Sequence, residues 1–188
     1  MRLFVAVNLP EEARESAGRA AAPLVDSALP VKWVGADGIH ITLRFLGEVD
    51  QAVAGPIGAA LGAAVAGARP FDLGLGGFGA FPDLARPRVL WFGVERHPAL
   101  ELLANDVEKA LGPFGFAPEL RPFQPHITLG RAKREARPAA FRSLAELARH
   151  VSWETVIRVE SVDLMQSTLE STGARYRVVS RAMLGGGR

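Results

Sequence analysis

Cysteine is absent from this chain of 188 residues, and this absence excludes disulfide bonds, thiolate nucleophiles and cysteine-ligated zinc sites. A large charge of either sign is also missing, because 22 basic and 20 acidic residues leave a net charge of +2. That balance permits a phosphate-bearing ligand without arguing for one. Hydrophobic residues make up 48% of the chain, which is typical of a folded globular protein and excludes a disordered one.

A long hydrophobic run is missing as well. Residues 51–68 carry no charge, but their large apolar side chains recur only at every fourth position, at Val53, Ile57, Leu61 and Val65. This spacing predicts an amphipathic helix packed on a sheet and not a membrane span. The opening MRLFVAVNLP is too short an apolar run for a signal peptide. We therefore expect a cytoplasmic monomer that does not bind membranes.

The rest of the pattern predicts one strand, at residues 2–9, followed by four helix–strand–strand units. The predicted helices lie at 10–28, 51–68, 98–111 and 138–150. After the first helix the predicted strands are VKWVG and IHITLRFLG, and after the second they are 71–81 and 88–95. After the third they are FGFAPEL and HITLGRA, and after the fourth they are WETVIRVESVDLMQS and ARYRVVSRAML. The sequence Ala36-Asp37-Gly38 predicts a hairpin turn between the first two of these strands. This alternation predicts an α+β fold with helices outside antiparallel sheets, and such sheets can leave one face free to line a cleft.

Histidine is rare, and two of its four copies begin the same tetrapeptide, His-Ile-Thr-Leu, at His40 and at His126. A chance repeat of this length is improbable, so it indicates an internal duplication with a pseudo-two-fold axis. Such an axis brings the two strands side by side or face to face. Because side chains alternate along a strand, His40 shares a face with Thr42, and His126 shares a face with Thr128.

Two imidazoles and two hydroxyls form a suitable set for cleaving a phosphodiester without a metal. Near an ordinary pKa of about 6.5, a neutral imidazole accepts a proton from water and a protonated one donates to the leaving alkoxide. The hydroxyls donate hydrogen bonds to the phosphate oxygens. Arg44 continues the face of the first motif by the two-residue period, so it is a candidate for phosphate binding. The symmetry of the motifs does not say which histidine is the acid.

The paired motifs resemble the two-histidine (2H) phosphoesterase superfamily, and within it the bacterial and archaeal RNA 2′,3′-cyclic phosphodiesterases, historically called 2′-5′ RNA ligases. The resemblance is carried by MRLFVAVNLP, HITLRFLGEV, FGAFPDLARPRVLWFGV, PHITLGR and LMQSTLESTGARYRVV. It implies a duplicated, bilobal α+β domain that spans residues 1–188, in which two antiparallel sheets line a central cleft and the helices pack outside. It also implies hydrolysis of 2′,3′-cyclic phosphate ends of RNA or oligonucleotides to 2′-phosphates, with no cofactor or metal, and reversible 2′-5′ ligation in some members.

The resemblance further assigns roles, with His40 as proton donor, His126 as proton acceptor, and Thr42 and Thr128 holding the phosphate. Arg131 stands five residues after His126, where the family often has a basic residue, and is a second candidate for phosphate binding. Strict alternation would face Arg131 away from the motif side chains unless the strand ends there. Tyr176 matches a C-terminal tyrosine of the family and is interpreted as structural.

Other functions stay open beside this one. A zinc hydrolase could use the two motif histidines, but the sequence has no HExxH motif and no third-ligand spacing. A non-catalytic RNA-binding module would not need both histidines and both threonines. Within the enzyme class, the alternative is a phosphodiesterase that acts on small cyclic phosphates or on 2′-5′ oligonucleotides. His97 and His150 are interpreted as non-catalytic.

Overall fold

Nine strands and four α-helices form the regular structure of residues 1–170 and 173–185, which are the residues that this computed structural model describes. The strands are β1 (Arg2–Asn8), β2 (Val31–Trp33), β3 (His40–Glu48), β4 (Phe71–Phe81), β5 (Val89–Val94), β6 (His126–Ala132), β7 (Glu154–Val159), β8 (Ser161–Glu170) and β9 (Gly173–Met183). The helices are α1 (Glu11–Val25), α2 (Gln51–Val65), α3 (Pro98–Leu111) and α4 (Leu144–Ala148). Ser171 and Thr172, which belong to the C-terminal family motif, lie outside the described residues.

The strands form one sheet in the order β7–β4–β5–β6–β3–β1–β8–β9, with β2 paired to β6. All of these pairs are antiparallel. The order is symmetric about the contact between β6 and β3, where Ile127 pairs with Ile41. The predicted α+β fold with duplicated halves is confirmed. The two predicted sheets are the halves of one continuous sheet, joined at this contact.

The helices pack on one face of the sheet and leave the other face for a cleft. Buried side chains of α1, α2 and α3 share one apolar core with strand residues of both halves. In α2 the predicted stripe is confirmed at Ile57, Leu61 and Val65, whereas Val53 is only partly buried. Each buried side chain of this size contributes about 1.5–3 kcal/mol, so the core fixes which face each strand residue presents. Within the described residues, no helix is long and apolar enough to cross a membrane.

The predicted hairpin at Ala36-Asp37-Gly38 is wrong. These residues form a 3₁₀ turn, and β2 pairs with β6 instead of β3. Because β2 and β3 are both antiparallel to β6, the chain keeps its direction through the turn. A Cβ added at Gly130 of β6 would lie 2.5 Å from Val31 and 2.8 Å from Trp33. Glycine at this position therefore lets β2 pack against β6, a tertiary contact that turn propensity does not reveal.

Three other predicted elements also differ. The predicted strand WETVIRVESVDLMQS is divided at Glu160 into β7, which pairs with β4, and β8, which pairs with β1 and β9. The segment FGFAPEL forms no strand, because residues 115–125 contain three prolines, which cannot donate to a ladder. The helix predicted at 138–150 is a 3₁₀ turn at Pro138–Phe141 followed by the short α4. Only Phe141 and Leu144 are buried in that segment, which is too little tertiary contact to hold a longer helix.

Candidate active site

The two HITL copies begin β3 and β6, the strands that meet at the centre of the sheet. The isoleucine and leucine of each copy are buried in the core on the helix side. The histidine and threonine of each copy are partly exposed on the opposite face, as the alternation predicts. The apolar half of each motif therefore fixes the polar half on the surface of the cleft.

The register arranges the four polar side chains as two mixed pairs. The isoleucines of the two copies are directly paired. One residue along in each direction, antiparallel pairing sets His40 across from Thr128 and Thr42 across from His126. A local two-fold axis between the isoleucines relates the two pairs. A phosphate placed over this axis would have one imidazole and one hydroxyl on each side.

The imidazole of His40 lies among aromatic side chains. Its ring centroid is 4.7 Å from that of Phe4 and 5.2 Å from that of Tyr176, which meets it edge-on. A hydrogen bond with the backbone of Gly38 orients the ring. The pKa of His40 is lowered to about 4, mainly by burial; the Gly38 bond opposes this effect, and the charge of His126 adds to the lowering.

His126 has a matching environment in the other half. Its Nδ1 lies 2.8 Å from the carbonyl oxygen of Gln124, and the ring of Phe81 meets it edge-on at 5.1 Å. Burial lowers the pKa of His126, the Gln124 bond opposes this, and the charge of Arg131 adds to the lowering. A neutral ring that donates Nδ1–H to this carbonyl leaves Nε2 free to accept a proton.

Both imidazoles are therefore neutral at neutral pH in the protein without a ligand. A bound phosphate changes this balance, because its negative charge favours the protonated form of a nearby imidazole. The pair is thus arranged to take up one proton together with an anionic ligand. One proton on the pair would give it both an acid and a base.

Each copy ends in a β-bulge. The extra residue is Leu43 in β3, which has no partner on β1, and Leu129 in β6, which has no partner on β5, although the residues on either side are paired. An extra residue shifts the alternation of faces by one position. The side chain five residues after each histidine therefore points into the cleft, and this residue is Phe45 in β3 and Arg131 in β6.

The predicted position of Arg44 on the face of the first motif is wrong, because the bulge turns it to the opposite side. There its guanidinium lies 3.4 Å from Glu108 of α3 and 3.2 Å from Glu119, and it donates a hydrogen bond to the carbonyl of Ala117. The side chain of Arg44 is 12% exposed. The structure therefore does not bring Arg44 together with the other predicted site residues.

Arg131 lies in the cleft, on the side that strict alternation excluded. It lines the same cavity as His40, Thr42 and Thr128. Its partner on β2 is Lys32, which lines this cavity too. Two cations directly across from each other repel, and an anion between them would relieve that repulsion. The site therefore offers a phosphate two positive charges next to the motif side chains.

Three residues of the cavity were not identified from the sequence as site residues. Phe45 exposes 59% of its surface there, Tyr176 contacts His40, and Arg181 of β9 is held by Asp163 of β8. The spacing of the repeat indicates Phe45 only when the bulge is known. The pairing of Asp163 with Arg181 crosses two strands and has no local motif.

His40 is the one histidine among the described residues that line this cavity, and His126 lies across from the cavity residue Thr42. The other two histidines lie outside the two motif strands. His97 caps the start of α3, where its Nδ1 accepts a hydrogen bond from the backbone of Ala99, and His150 lies 3.7 Å from Glu146. In the part of the chain that the structure describes, no three His, Cys, Asp or Glu side chains converge as a metal site would require.

The cavity has a volume of about 1380 Å³, larger than the roughly 300–1,000 Å³ of a typical small-ligand pocket. Seven of its lining side chains are lysine or arginine and two are aspartate or glutamate. The small net charge of the chain therefore conceals a local surplus of positive charge in the cleft. Such a surplus favours an anionic ligand of extended size.

The family model described as the 2'-5' RNA ligase superfamily matches residues 9–168, which include both HITL copies. A relative from Thermotoga maritima, named RNA 2',3'-cyclic phosphodiesterase, is 34% identical over 188 residues, which cover 100% of this chain and 97% of the relative. A relative of the same name from Geobacillus stearothermophilus is 35% identical over 186 residues, or 97% of this chain, which spans 57% of that relative's length. Among solved structures, E. coli LigT complexed with 3'-AMP has a TM-score of 0.76 and 29% identity, with 97% of both chains covered. The chain belongs to the 2'-5' RNA ligase superfamily.

Proposed function

We propose that this chain hydrolyses the 2′,3′-cyclic phosphate at RNA ends to a 2′-phosphate without a metal, as one bilobal unit spanning residues 1–188. The observation that carries the proposal is the crossed arrangement of His40, Thr42, His126 and Thr128 on the two central strands. It sets two proton-transfer groups and two hydrogen-bond donors around one position. The relatives named RNA 2',3'-cyclic phosphodiesterase support the choice of substrate.

The reaction needs one proton to be removed and one to be donated. His126, with Nε2 unprotonated, accepts a proton from the attacking water as its oxygen bonds to phosphorus. The bond from phosphorus to O3′ breaks, and protonated His40 donates its proton to O3′. The phosphate stays on O2′. When the 5′-hydroxyl of a second RNA replaces water, the same steps form a 2′-5′ bond.

Negative charge builds on the non-bridging phosphate oxygens during this attack. The hydroxyls of Thr42 and Thr128 donate hydrogen bonds to those oxygens from fixed strand positions. Arg131 and Lys32 place positive charge at one edge of the same site. Fixed donors and charges of this kind stabilise the transition state without having to reorganise.

The nucleoside lies on the His40 side of the phosphate in this proposal. That side presents the exposed ring of Phe45 and the ring of Tyr176, which are surfaces suited to stacking a base or packing against a ribose. At the position equivalent to Phe45, the other half presents Arg131 instead, directly across from Lys32. This difference directs O3′ toward His40, the proton donor. The complex of E. coli LigT with 3'-AMP supports a nucleotide ligand for this fold.

The test is to incubate an RNA oligonucleotide that ends in a 2′,3′-cyclic phosphate with the protein, with and without EDTA, and to follow it by phosphorus NMR. We expect a 2′-phosphate monoester at the same rate in both samples. His126→Ala protein, purified identically, controls for contaminating nucleases. A 3′-phosphate would contradict the proposed direction of cleavage. Activity lost on chelation and restored by zinc or magnesium would contradict the metal-free mechanism.

A further inference from the structure

A buried carboxylate lies on the cleft face of the half that carries His40. Among residues 1–170 and 173–185, Asp163 is the one charged or polar residue that is fully buried, with 1% exposure. It accepts hydrogen bonds from Nε and Nη2 of Arg181, at 2.8 and 3.0 Å, and from Nδ2 of Asn8, at 2.7 Å. A buried ion pair often stabilises a fold no more than apolar residues of the same volume would. This pair therefore calls for a role beyond holding the sheet together.

Arg181 is the exposed member of the pair. Its side chain is 54% exposed, and it lines the same cavity as His40 and Thr42. A guanidinium has five N–H donors, and the fork to Asp163 engages Nε and Nη2. The fork fixes the plane of the guanidinium and leaves other donors for the cavity. Arg181 is thus already oriented to bind an acceptor there, which lowers the entropic cost of binding.

The strand register gives the position of Arg181 relative to the reaction site. Thr42 pairs with Ala6, Ala6 with Asp163, and Asp163 with Arg181, in one row across β3, β1, β8 and β9. Neighbouring strands are about 4.8 Å apart, so the Cα of Arg181 lies about 14 Å from that of Thr42 along the sheet. A phosphate centred on the local axis between β3 and β6 lies farther still from Arg181 along the sheet. The neighbouring phosphodiester of the same nucleic acid strand can reach Arg181.

We propose that Arg181, held by Asp163, forms a second phosphate subsite that binds the phosphodiester on the 5′ side of the nucleotide carrying the cyclic phosphate. This inference rests on the proposed function and narrows it, because an oligonucleotide has this phosphodiester and a free cyclic nucleotide does not. Arg181 contacts the ligand, and Asp163 is a positioning residue that acts through Arg181. The surplus of basic side chains in the cavity favours the same polyanionic substrate.

The test compares three substrates: adenosine 2′,3′-cyclic phosphate, the same compound with an added 5′-phosphate, and the dinucleotide adenylyl-adenosine ending in a 2′,3′-cyclic phosphate. We expect Arg181→Gln to raise KM about 10-fold for the two substrates with the additional phosphate and to leave the first unchanged. For the dinucleotide, kcat/KM should depend less steeply on salt concentration in Arg181→Gln, by about the slope that one phosphate contact contributes.

The matched control is Arg158→Gln. Arg158 is also an exposed arginine paired with a carboxylate, Asp72 at 3.1 Å, but it lies on β7 at the far edge of the sheet and does not line the cavity. All three KM values should stay unchanged in this variant. Asp163→Asn should raise KM for the same two substrates by a smaller factor than Arg181→Gln does, because the guanidinium stays but loses the carboxylate that holds it. If Arg181→Gln unfolds, the double variant Asp163→Asn/Arg181→Gln removes both charges together and must show the same selectivity.

The outcomes separate this inference from the function on which it rests. Equal losses on all three substrates would overturn the subsite and indicate an effect on His40 through its β1 partner Asn8. Unchanged KM on all three would overturn it as well. If the wild-type protein hydrolyses none of them, the proposed function fails. Calorimetric titration with adenylyl-adenosine 2′-phosphate then still tests the subsite, because binding must weaken in Arg181→Gln and not in Arg158→Gln.

Discussion

The two HITL copies present the same polar side chains to the cleft and differ in the residues that follow the bulge. The first copy continues with Arg44 on the helix side and Phe45 in the cleft, and the second with Gly130 and Arg131. Packing accounts for the difference on the helix side. β2 covers Gly130 and leaves no room for a side chain, whereas Arg44 has room and pairs with Glu108 of α3.

The shared residues suit the proton transfers of the proposed reaction, and the divergent residues suit the binding of an asymmetric substrate. A cyclic phosphate can be attacked from one side and protonated on the other, so two equivalent sets of imidazole and hydroxyl serve it well. The nucleoside, however, is attached on one side only. The asymmetric residues are an aromatic ring in one half and a cation in the other, which are suited to a base and to a phosphate respectively. In the proposed mechanism, the divergent positions therefore orient the substrate.

The largest effect is expected from the shared positions. His40→Ala and His126→Ala should each reduce kcat by about 10²- to 10⁴-fold, the usual range for one acid or base. The double variant should be little worse than either single variant, because the two groups act in one proton-transfer step. Steady-state hydrolysis of a cyclic-phosphate RNA measures all three. A single variant with near-normal kcat would remove that histidine from the mechanism.

The threonines test whether the two halves contribute equally. Thr42→Val and Thr128→Val keep the β-branched shape and delete one hydroxyl, so we expect a loss in kcat of about 10- to 1,000-fold in each. The local two-fold axis predicts similar losses in the two variants. Unchanged melting temperatures would show that the strands are intact. Unchanged kinetics in both variants would mean that the hydroxyls do not contact the phosphate.

The arginines test the divergent positions, and here the halves should behave differently. Arg131→Met should lower kcat/KM by about 10- to 100-fold, because a charge-assisted contact to the phosphate is lost. Arg44→Met should leave kcat/KM nearly unchanged and lower the free energy of unfolding by about 1–3 kcal/mol, since its hydrogen bonds to Glu119 and Ala117 and its ion pair with Glu108 are lost. Urea denaturation with the activity assay distinguishes the two. Equal effects on activity would contradict the faces that the bulges assign.

Sequence periodicity identified the motif strands and the faces of their first four residues, because buried isoleucine and leucine alternate with polar residues. It failed at the fifth residue, since a bulge depends on pairing with the neighbouring strand and leaves no mark in the strand itself. The same limit explains the wrong hairpin at Ala36-Asp37-Gly38, because β2 pairs with β6, which lies far along the chain. Asp163 and Arg181 were not identified from the sequence, because burial and a cross-strand contact distinguish them from other charged residues.

The smallest expected effect is a shift in pH dependence that distinguishes the environments of the two imidazoles. Burial is the main cause of the lowered pKa of both, and Arg131 adds to the lowering only at His126. Because the active form holds one proton on the pair, kcat/KM should trace a bell whose limbs belong to the pair. Its maximum should lie below about pH 6.5, the ordinary pKa of histidine. The profile of kcat should lie at higher pH, because the bound phosphate favours the protonated form.

The variant Arg131→Met tests the direction in which the kcat/KM profile shifts with pH. Removing the positive charge removes a repulsion against protonated His126, so its pKa rises and the bell for kcat/KM moves to higher pH. Arg44→Met is the matched control, since Arg44 lies on the opposite face and should leave the bell in place. Both profiles are measured on the same cyclic-phosphate RNA from about pH 5 to 9. The same shift in both variants would mean that Arg131 does not act on His126 through its charge, and a flat profile in the unmodified protein would contradict proton transfer by the two imidazoles.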